Sequence, residues 1–227
     1  MSFDPIAGAM AYVVFLGSTC CHEAAHAWTA LRLGDDTAAR GGQVSLDPVP
    51  HIRREPIGMV VVPLLSFFLG GGAMIGWASA PFDPLWAQKY PRRAAAMSYA
   101  GPAANLLLVL LASLAIRAGV GLGVFEVPGS FSWGRVTSAV GGGFWPFIAG
   151  LLSLLFSMNL LLGLFNLLPL PPLDGSALPL LFLSPARAST WLAFRGTAGF
   201  IGLFLAWKLT DLFFAPCWRA ACRLLLR

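Results

Sequence analysis

The sequence predicts an all-α polytopic membrane protein of about five to six transmembrane helices, with a short membrane-surface or re-entrant β segment. Three observations carry this. Of 227 residues, 57% are hydrophobic and only 11% charged, against roughly 25% charged in soluble domains. Mean hydropathy is +0.74. Four or five apolar segments are each long enough, at about 1.5 Å per residue, to cross a hydrocarbon core of about 30 Å. The net charge of +5 comes from basic residues scattered among loops. That is a topology bias of a chain in a lipid bilayer, and no nucleic-acid partner is implied. No polar stretch is long enough to fold as an additional soluble domain, so residues 1–227 read as one domain.

The first apolar segment covers about Ile6–Leu33 and contains His22-Glu23-Ala24-Ala25-His26. Ionisable groups inside such a helix are costly without a partner and are a functional hypothesis by default. A spacing of four puts both imidazoles on one helix face, the arrangement of the zinc motif H-E-x-x-H, with the glutamate placed to act on a water at the metal. The segment is read as retained rather than as a cleaved signal, because its first residues lack Lys or Arg and it holds the metal motif. After it, Gly41–Pro48 alternates and ends in a turn signal, which predicts a short strand or hairpin at the membrane surface. The second segment, about Ile57–Trp77, is interrupted by Gly70-Gly71-Gly72; the third is about Ala94–Ile116 and the fourth about Phe144–Leu168.

A catalytic zinc needs three protein ligands and one open position, and acidic residues in apolar surroundings are few. Asp174 is the best candidate. Pro169, Pro171 and Pro172 precede it and break the helix; backbone so freed is tolerated at membrane depth only inside protein or along a wet cavity. A shorter apolar piece, Ala177–Leu183, follows, and a last segment covers about Leu192–Phe214. Cys20, Cys21, Cys217 and Cys222 have no metal or disulfide spacing and read as small buried apolar residues.

His22-Glu23-x-x-His26 together with Asn166-x-x-Pro169-x-Pro171-x-Leu173-Asp174-Gly175 resembles the site-2 protease family of intramembrane zinc metalloproteases. Gly101-Pro102-Ala103-Ala104-Asn105 resembles that family's middle-helix motif, and the Gly42–Pro63 and Gly76–Pro84 stretches resemble a compact bacterial subgroup. The resemblance covers about Leu16 to Gly175. It implies one zinc ion held by His22, His26 and Asp174, Glu23 as catalytic base, and Asn166 near the reacting carbonyl as a substrate or oxyanion contact. Unlike many relatives, the chain has room for neither a PDZ nor a CBS domain. The catalytic core is expected at about 6–183 and a C-terminal helix at about 190–216.

Two further polar residues each suit two roles. Asn105, mid-span, suits either hydrogen bonding between helices or contact with the site. His51 suits either an interfacial position or the mouth of the site.

The ligand set constrains topology. His22 lies about 24 Å along a helix that starts near Ile6, in its far half, and Asp174 follows the fourth segment. They meet only if the first and fourth segments run in the same direction, so one extra reversal or one fewer crossing is needed between them; Ile57–Leu85 is the expected place, as a re-entrant stretch rather than a full span, through a hairpin at Gly70-Gly71-Gly72 or with Trp77–Leu85 returning as an extended strand. The positive-inside rule then puts the side bearing Arg32, Arg40, Arg53 and Arg54 in the cytoplasm, with the N-terminus outside and the active site toward the cytoplasm of a multi-pass cell-membrane protein.

The leading expectation is a zinc-dependent endopeptidase cutting transmembrane proteins or remnant peptides in or near their membrane segments. A catalytically silent membrane binding or assembly module of the same fold is the alternative, and a metal transporter a third. Glu23 between the two histidines separates them, since neither alternative needs it.

Overall fold

A computed structural model describes residues 4–69 and 74–225. Helix α1 (Pro5–Arg32) begins where Asp4 accepts the Ile6 and Ala7 amides at 3.0 and 3.2 Å, with Pro5 preset for the first turn. It stops at Leu33 and Gly34, whose φ of 100° favours glycine. Short helices α2 (Thr37–Arg40) and α3 (Pro48–Arg54) follow. Between them, residues 42–46 form no strand, contrary to the alternation of the sequence. Their polar groups are taken up singly: the Ser45 carbonyl faces His51 Nε2 at 2.9 Å, and the Gln43 amide donates to the Ser79 carbonyl at 2.8 Å. The only β ladder among the described residues is elsewhere, Phe125–Glu126 antiparallel to Ser138–Ala139 in the loop before the last core helix.

Five π-helical residues (Ile57–Val61) and eight α-helical ones, α4 (Val62–Leu69), make one apolar helix. At about 1.5 Å per residue it reaches about 20 Å, too short to span a bilayer. Pro63 cannot donate to the Met59 carbonyl, and the Tyr12 hydroxyl of α1 does so instead at 3.1 Å. The chain then returns alongside: the Ile75 amide donates to Ser66 Oγ at 3.0 Å, the Trp77 amide to the Gly58 carbonyl at 3.1 Å. The turn expected at Gly70-Gly71-Gly72 lies outside the described residues, but both arms of the re-entrant path are present. The returning arm, residues 74–83, is extended, and a Cβ on Gly58 or Gly76 would collide with the opposite arm.

After α5 (Pro84–Lys89), α6 (Pro91–Gly121) runs back through the middle of the molecule and packs on α1, on α7 (Trp145–Asn166) and on a 3-10 helix (Asp174–Leu181). Register fixes directions. His26 meets Met97 and His22 meets Asn105, so α1 and α6 are antiparallel. Ala11, Val14 and Phe15 cluster with Leu154 and Met158, and Ser18 meets Asn159, so α1 and α7 are parallel. This is the relation that the ligand set demanded.

Two helices complete the chain, α8 (Pro185–Thr197) and α9 (Gly199–Leu225). The last apolar segment is thus broken, the axes of the pair bending by 69°. Gly202 lies so close to the Pro171 carbonyl that any side chain there would collide with it. Among the described residues three helices, α1, α6 and α7, are long and apolar enough to cross a bilayer, or four if the bent pair is one span. The class is as expected; the count falls below five to six because one segment turns back and another breaks. Exposed Leu107, Leu110, Leu111 and Leu114 on α6 and Phe200, Ile201 and Phe204 on α9 suit a lipid-facing surface. All four cysteines are free; Cys20 and Cys222 are buried as expected, Cys21 is half-buried and Cys217 exposed.

Candidate metal centre

Helix α1 carries His22, Glu23 and His26 on adjacent positions of its buried side, each between 5% and 7% exposed. The two imidazoles meet edge to face with centroids 4.6 Å apart. The chain after α7 unwinds through Pro169–Pro172 and brings Asp174 over them. His22 Nε2 and His26 Nε2 are 3.0 Å apart, and Asp174 Oδ2 lies 3.1 Å from the first and 3.4 Å from the second. Among the described residues this is the only group of three or more His, Cys, Asp or Glu side chains able to share an ion.

The other ring nitrogens decide what these atoms are. His26 Nδ1 faces the Met97 carbonyl at 2.7 Å and His22 Nδ1 faces Asn105 Oδ1 at 2.6 Å. Both partners accept, so both Nδ1 atoms carry the proton and both Nε2 atoms present lone pairs, as in metal-ligating histidines oriented from behind. Asp174 Oδ2 is buried and receives no hydrogen bond. Three electron-pair donors thus converge with no proton between them, an arrangement a cation would satisfy. Ligands of tetrahedral zinc, at about 2.0–2.1 Å from the metal, sit about 3.3 Å apart, close to the three separations here.

The Gly101-Pro102-x-x-Asn105 motif acquires a function from its position. A Cβ on Gly101 would overlap Nε2 of both histidines, so glycine leaves open the space in front of the donors. Pro102 lies inside α6 and has no amide to return to the Ser98 carbonyl, next to the Met97 carbonyl that faces His26. Asn105 supplies the partner of His22. Gly175 plays a similar part at the other motif, where a Cβ would strike the Leu167 and Leu168 carbonyls and the proline-rich turn could not fold back. From α8, Arg195 Nε donates to Ser176 Oγ at 2.8 Å and Arg195 Nη2 to the Leu173 carbonyl at 3.4 Å, while Trp191 Nε1 donates to the Ser176 carbonyl at 3.0 Å. These bonds bracket Asp174 on both sides.

Neither remaining candidate is hydrogen-bonded to the triad among the described residues. Asn166 is half-buried at the end of α7, its amide donating to the Leu162 carbonyl at 3.0 Å. His51 is buried on α3, facing the Ser45 carbonyl and the Gln43 amide, and is not grouped with the ligands. Sequence reasoning missed Asn159, whose Oδ1 accepts from the Asn105 amide at 2.8 Å. The available signal was a second carboxamide in the middle of an apolar span.

A family model described as Peptidase family M50 matches residues 10–207. The chain is 34% identical over 165 residues to "Putative zinc metalloprotease YwhC" of Bacillus subtilis, covering 72% of this chain and 64% of that protein. It is 33% identical over 178 residues to "Putative zinc metalloprotease Rip2" of Mycobacterium tuberculosis, covering 77% of this chain and 59% of that one. The chain therefore spans less than two thirds of the length of these relatives, 64% and 59%. No solved structure matches it significantly.

Proposed function

The chain belongs to peptidase family M50, and from that premise we propose that it is a zinc-dependent endopeptidase hydrolysing peptide bonds in or near transmembrane segments of membrane-protein substrates. The observation that carries this is the convergence of His22 Nε2, His26 Nε2 and Asp174 Oδ2 within 3.4 Å, with Glu23 buried beside them. His22, His26 and Asp174 would hold one ion. When bound, zinc supplies Lewis acidity, polarising a carbonyl and acidifying water.

Glu23 is the general base: it takes a proton from the attacking water and delivers it to the leaving amine. No hydrogen bond among the described residues ties its carboxylate elsewhere. Asn166 uses one amide hydrogen on Leu162, which leaves the other for the substrate carbonyl.

The substrate must present an unwound strand, because carbonyls in a helix are hydrogen-bonded and covered. Two stretches of backbone suit it: the proline-rich turn at 169–173 and the returning arm at 74–83. Along that arm Ile75, Trp77 and Ser79 bond inward; the amides of Gly76, Ala78 and Ala80, on the opposite side of an extended chain, have no partner among the described residues, an edge open to strand addition. A groove of about 470 Å³ lined by Phe82, Pro84, Pro172 and Arg195 joins the two stretches.

Transmembrane proteins or remnant peptides are the proposed substrates, in a multi-pass cell-membrane protein with its N-terminus outside. Arg93 reaches the Leu33 carbonyl at 3.0 Å, so the basic residues at the start of α6 share the end of the molecule with those following α1. Positive-inside bias makes that end, and the site near it, cytoplasmic.

The test is Glu23→Gln. It keeps all three ligands, so zinc content should remain at one per chain while cleavage of a membrane-embedded substrate falls by at least about 100-fold. Cleavage at the wild-type rate would refute the enzymatic reading.

A further inference from the structure

The two histidines are held from behind in different ways, and the difference has a consequence. His26 Nδ1 faces a backbone carbonyl, that of Met97, which can only accept. His22 Nδ1 faces the side-chain amide of Asn105. A primary amide offers an oxygen one way round and an NH₂ the other. Turned over, Asn105 would donate to His22 Nδ1, and the ring proton would move to Nε2, onto the atom needed for the metal. Something must hold the amide in one orientation.

We propose that Asn159 on α7 is a positioning residue which, through Asn105, keeps Nε2 of His22 free for zinc. Asn105 Nδ2 donates to Asn159 Oδ1 at 2.8 Å. Asn159 is itself an amide and equally ambiguous in isolation, but its Nδ2 lies 2.9 Å from the Leu155 carbonyl and 2.8 Å from Ser18 Oγ. The Leu155 carbonyl has no proton to give, so nitrogen must face it. Asn159 oxygen then faces Asn105, Asn105 nitrogen faces Asn159, and Asn105 oxygen faces His22. Each orientation dictates the next. The sequence of bonds starts at a backbone carbonyl of α7 and ends at the tautomer of a side chain on α1.

Burial makes the arrangement binding. Asn105, Asn159 and Ser18 are 0%, 0% and 1% exposed, so water cannot replace a missing partner, and a reversed amide would set donor against donor and acceptor against acceptor. Ser18 adds no direction of its own, since a hydroxyl can donate or accept; it lies one turn before His22 and ties α7 to the same face of α1. Outer partners of metal-ligating histidines typically alter metal affinity by about 10–100-fold; here the outer partner is itself set by a third side chain.

This inference rests on the reading of His22, His26 and Asp174 as zinc ligands, and the experiment separates the two. The full chain is purified in detergent micelles as wild type, His22→Ala, Asn159→Leu, Asn159→Ser, Asn105→Leu and the double variant Asn105→Leu/Asn159→Leu, and zinc affinity is measured by chelator competition. Asn159→Leu is expected to raise the Kd about 10-fold, and Asn159→Ser, which retains a hydroxyl for Leu155 but cannot reach Asn105, to do the same. The double variant should bind no more weakly than Asn105→Leu alone, because Asn159 acts only through Asn105. A residue that merely packed α7 against α1 would give losses that multiply. Ring ¹⁵N spectra of the zinc-free wild type supply a second measurement that needs no variant: His22 should be a single tautomer protonated on Nδ1.

A Kd within two-fold of wild type for a folded Asn159→Leu, multiplying losses in the double variant, or a mixture of His22 tautomers in wild type overturns the proposal while leaving the zinc reading intact. Wild type that binds zinc no better than His22→Ala overturns both.

Discussion

One methyl group tests the centre at the scale of a single residue. Gly101 on α6 faces the imidazoles so closely that a Cβ would occupy the space before both Nε2 atoms. Gly101→Ala should therefore bring zinc content from one per chain to near zero and abolish cleavage, while Gly17→Ala, whose added Cβ meets nothing within 4 Å, should keep both. Metal analysis of the two purified variants checks this, and full zinc occupancy in Gly101→Ala would show that the donors meet somewhere else. The histidines and Asp174 were legible in the sequence because ionisable groups are conspicuous in an apolar run. Gly101 was legible only as part of a motif, since lack of a side chain carries no chemical signature of its own. Asn159 left only a weak mark: a carboxamide in a span reads as helix-to-helix glue until its partners are known.

At the scale of elements, the proline-rich turn presents Asp174, and α8 holds the turn. Arg195 bonds Ser176 Oγ and the Leu173 carbonyl, one on each side of the aspartate. Hydrogen bonds from a charged group contribute about 1.5–3 kcal/mol when mostly buried. Arg195→Met preserves the apolar stem but loses both bonds. It should lower the unfolding free energy of the solubilised chain by roughly that amount and weaken zinc binding, because Asp174 loses its fixed position. Thermal unfolding and chelator competition would both be needed; an unchanged midpoint together with an unchanged Kd would mean that the turn holds itself. The α8 clamp was invisible in the sequence, where Trp191 and Arg195 look like ordinary interfacial residues. The same reading continued the last apolar segment through Ala198, since nothing in its hydropathy marks the bend.

The direction of α7 relative to α1 is a property of the whole molecule. The two run parallel because the helix from Ile57 to Leu69 is too short to cross and the chain comes back beside it as residues 74–83. One reversal without a crossing puts the far end of α1, the start of α6 and the end of α7 at one level, and the loop at residues 122–144 at the opposite end. In a chain freed of its native cysteines, Ser130→Cys should be labelled by a membrane-impermeant thiol reagent added to intact cells, and Arg53→Cys only after lysis. The reverse pattern would invert the proposed orientation, and labelling of both from the same side would dispose of the re-entrant path.

The sequence by itself determined the solvent of this protein and the shared face of its candidate histidine ligands: long apolar runs must bury backbone polar groups in helices when placed in lipid, and two histidines four apart share a face. It also demanded a reversal between α1 and α7, because three ligands must reach one ion. Only the tertiary structure decided how that reversal is made, which oxygen sits behind each imidazole, and that Gly101 and Asn159 lie close to the candidate ligands or their partners. Helical periodicity is a local property that a sequence displays directly. The partner of a buried amide is a neighbour from another helix, and it exists only once the helices have packed.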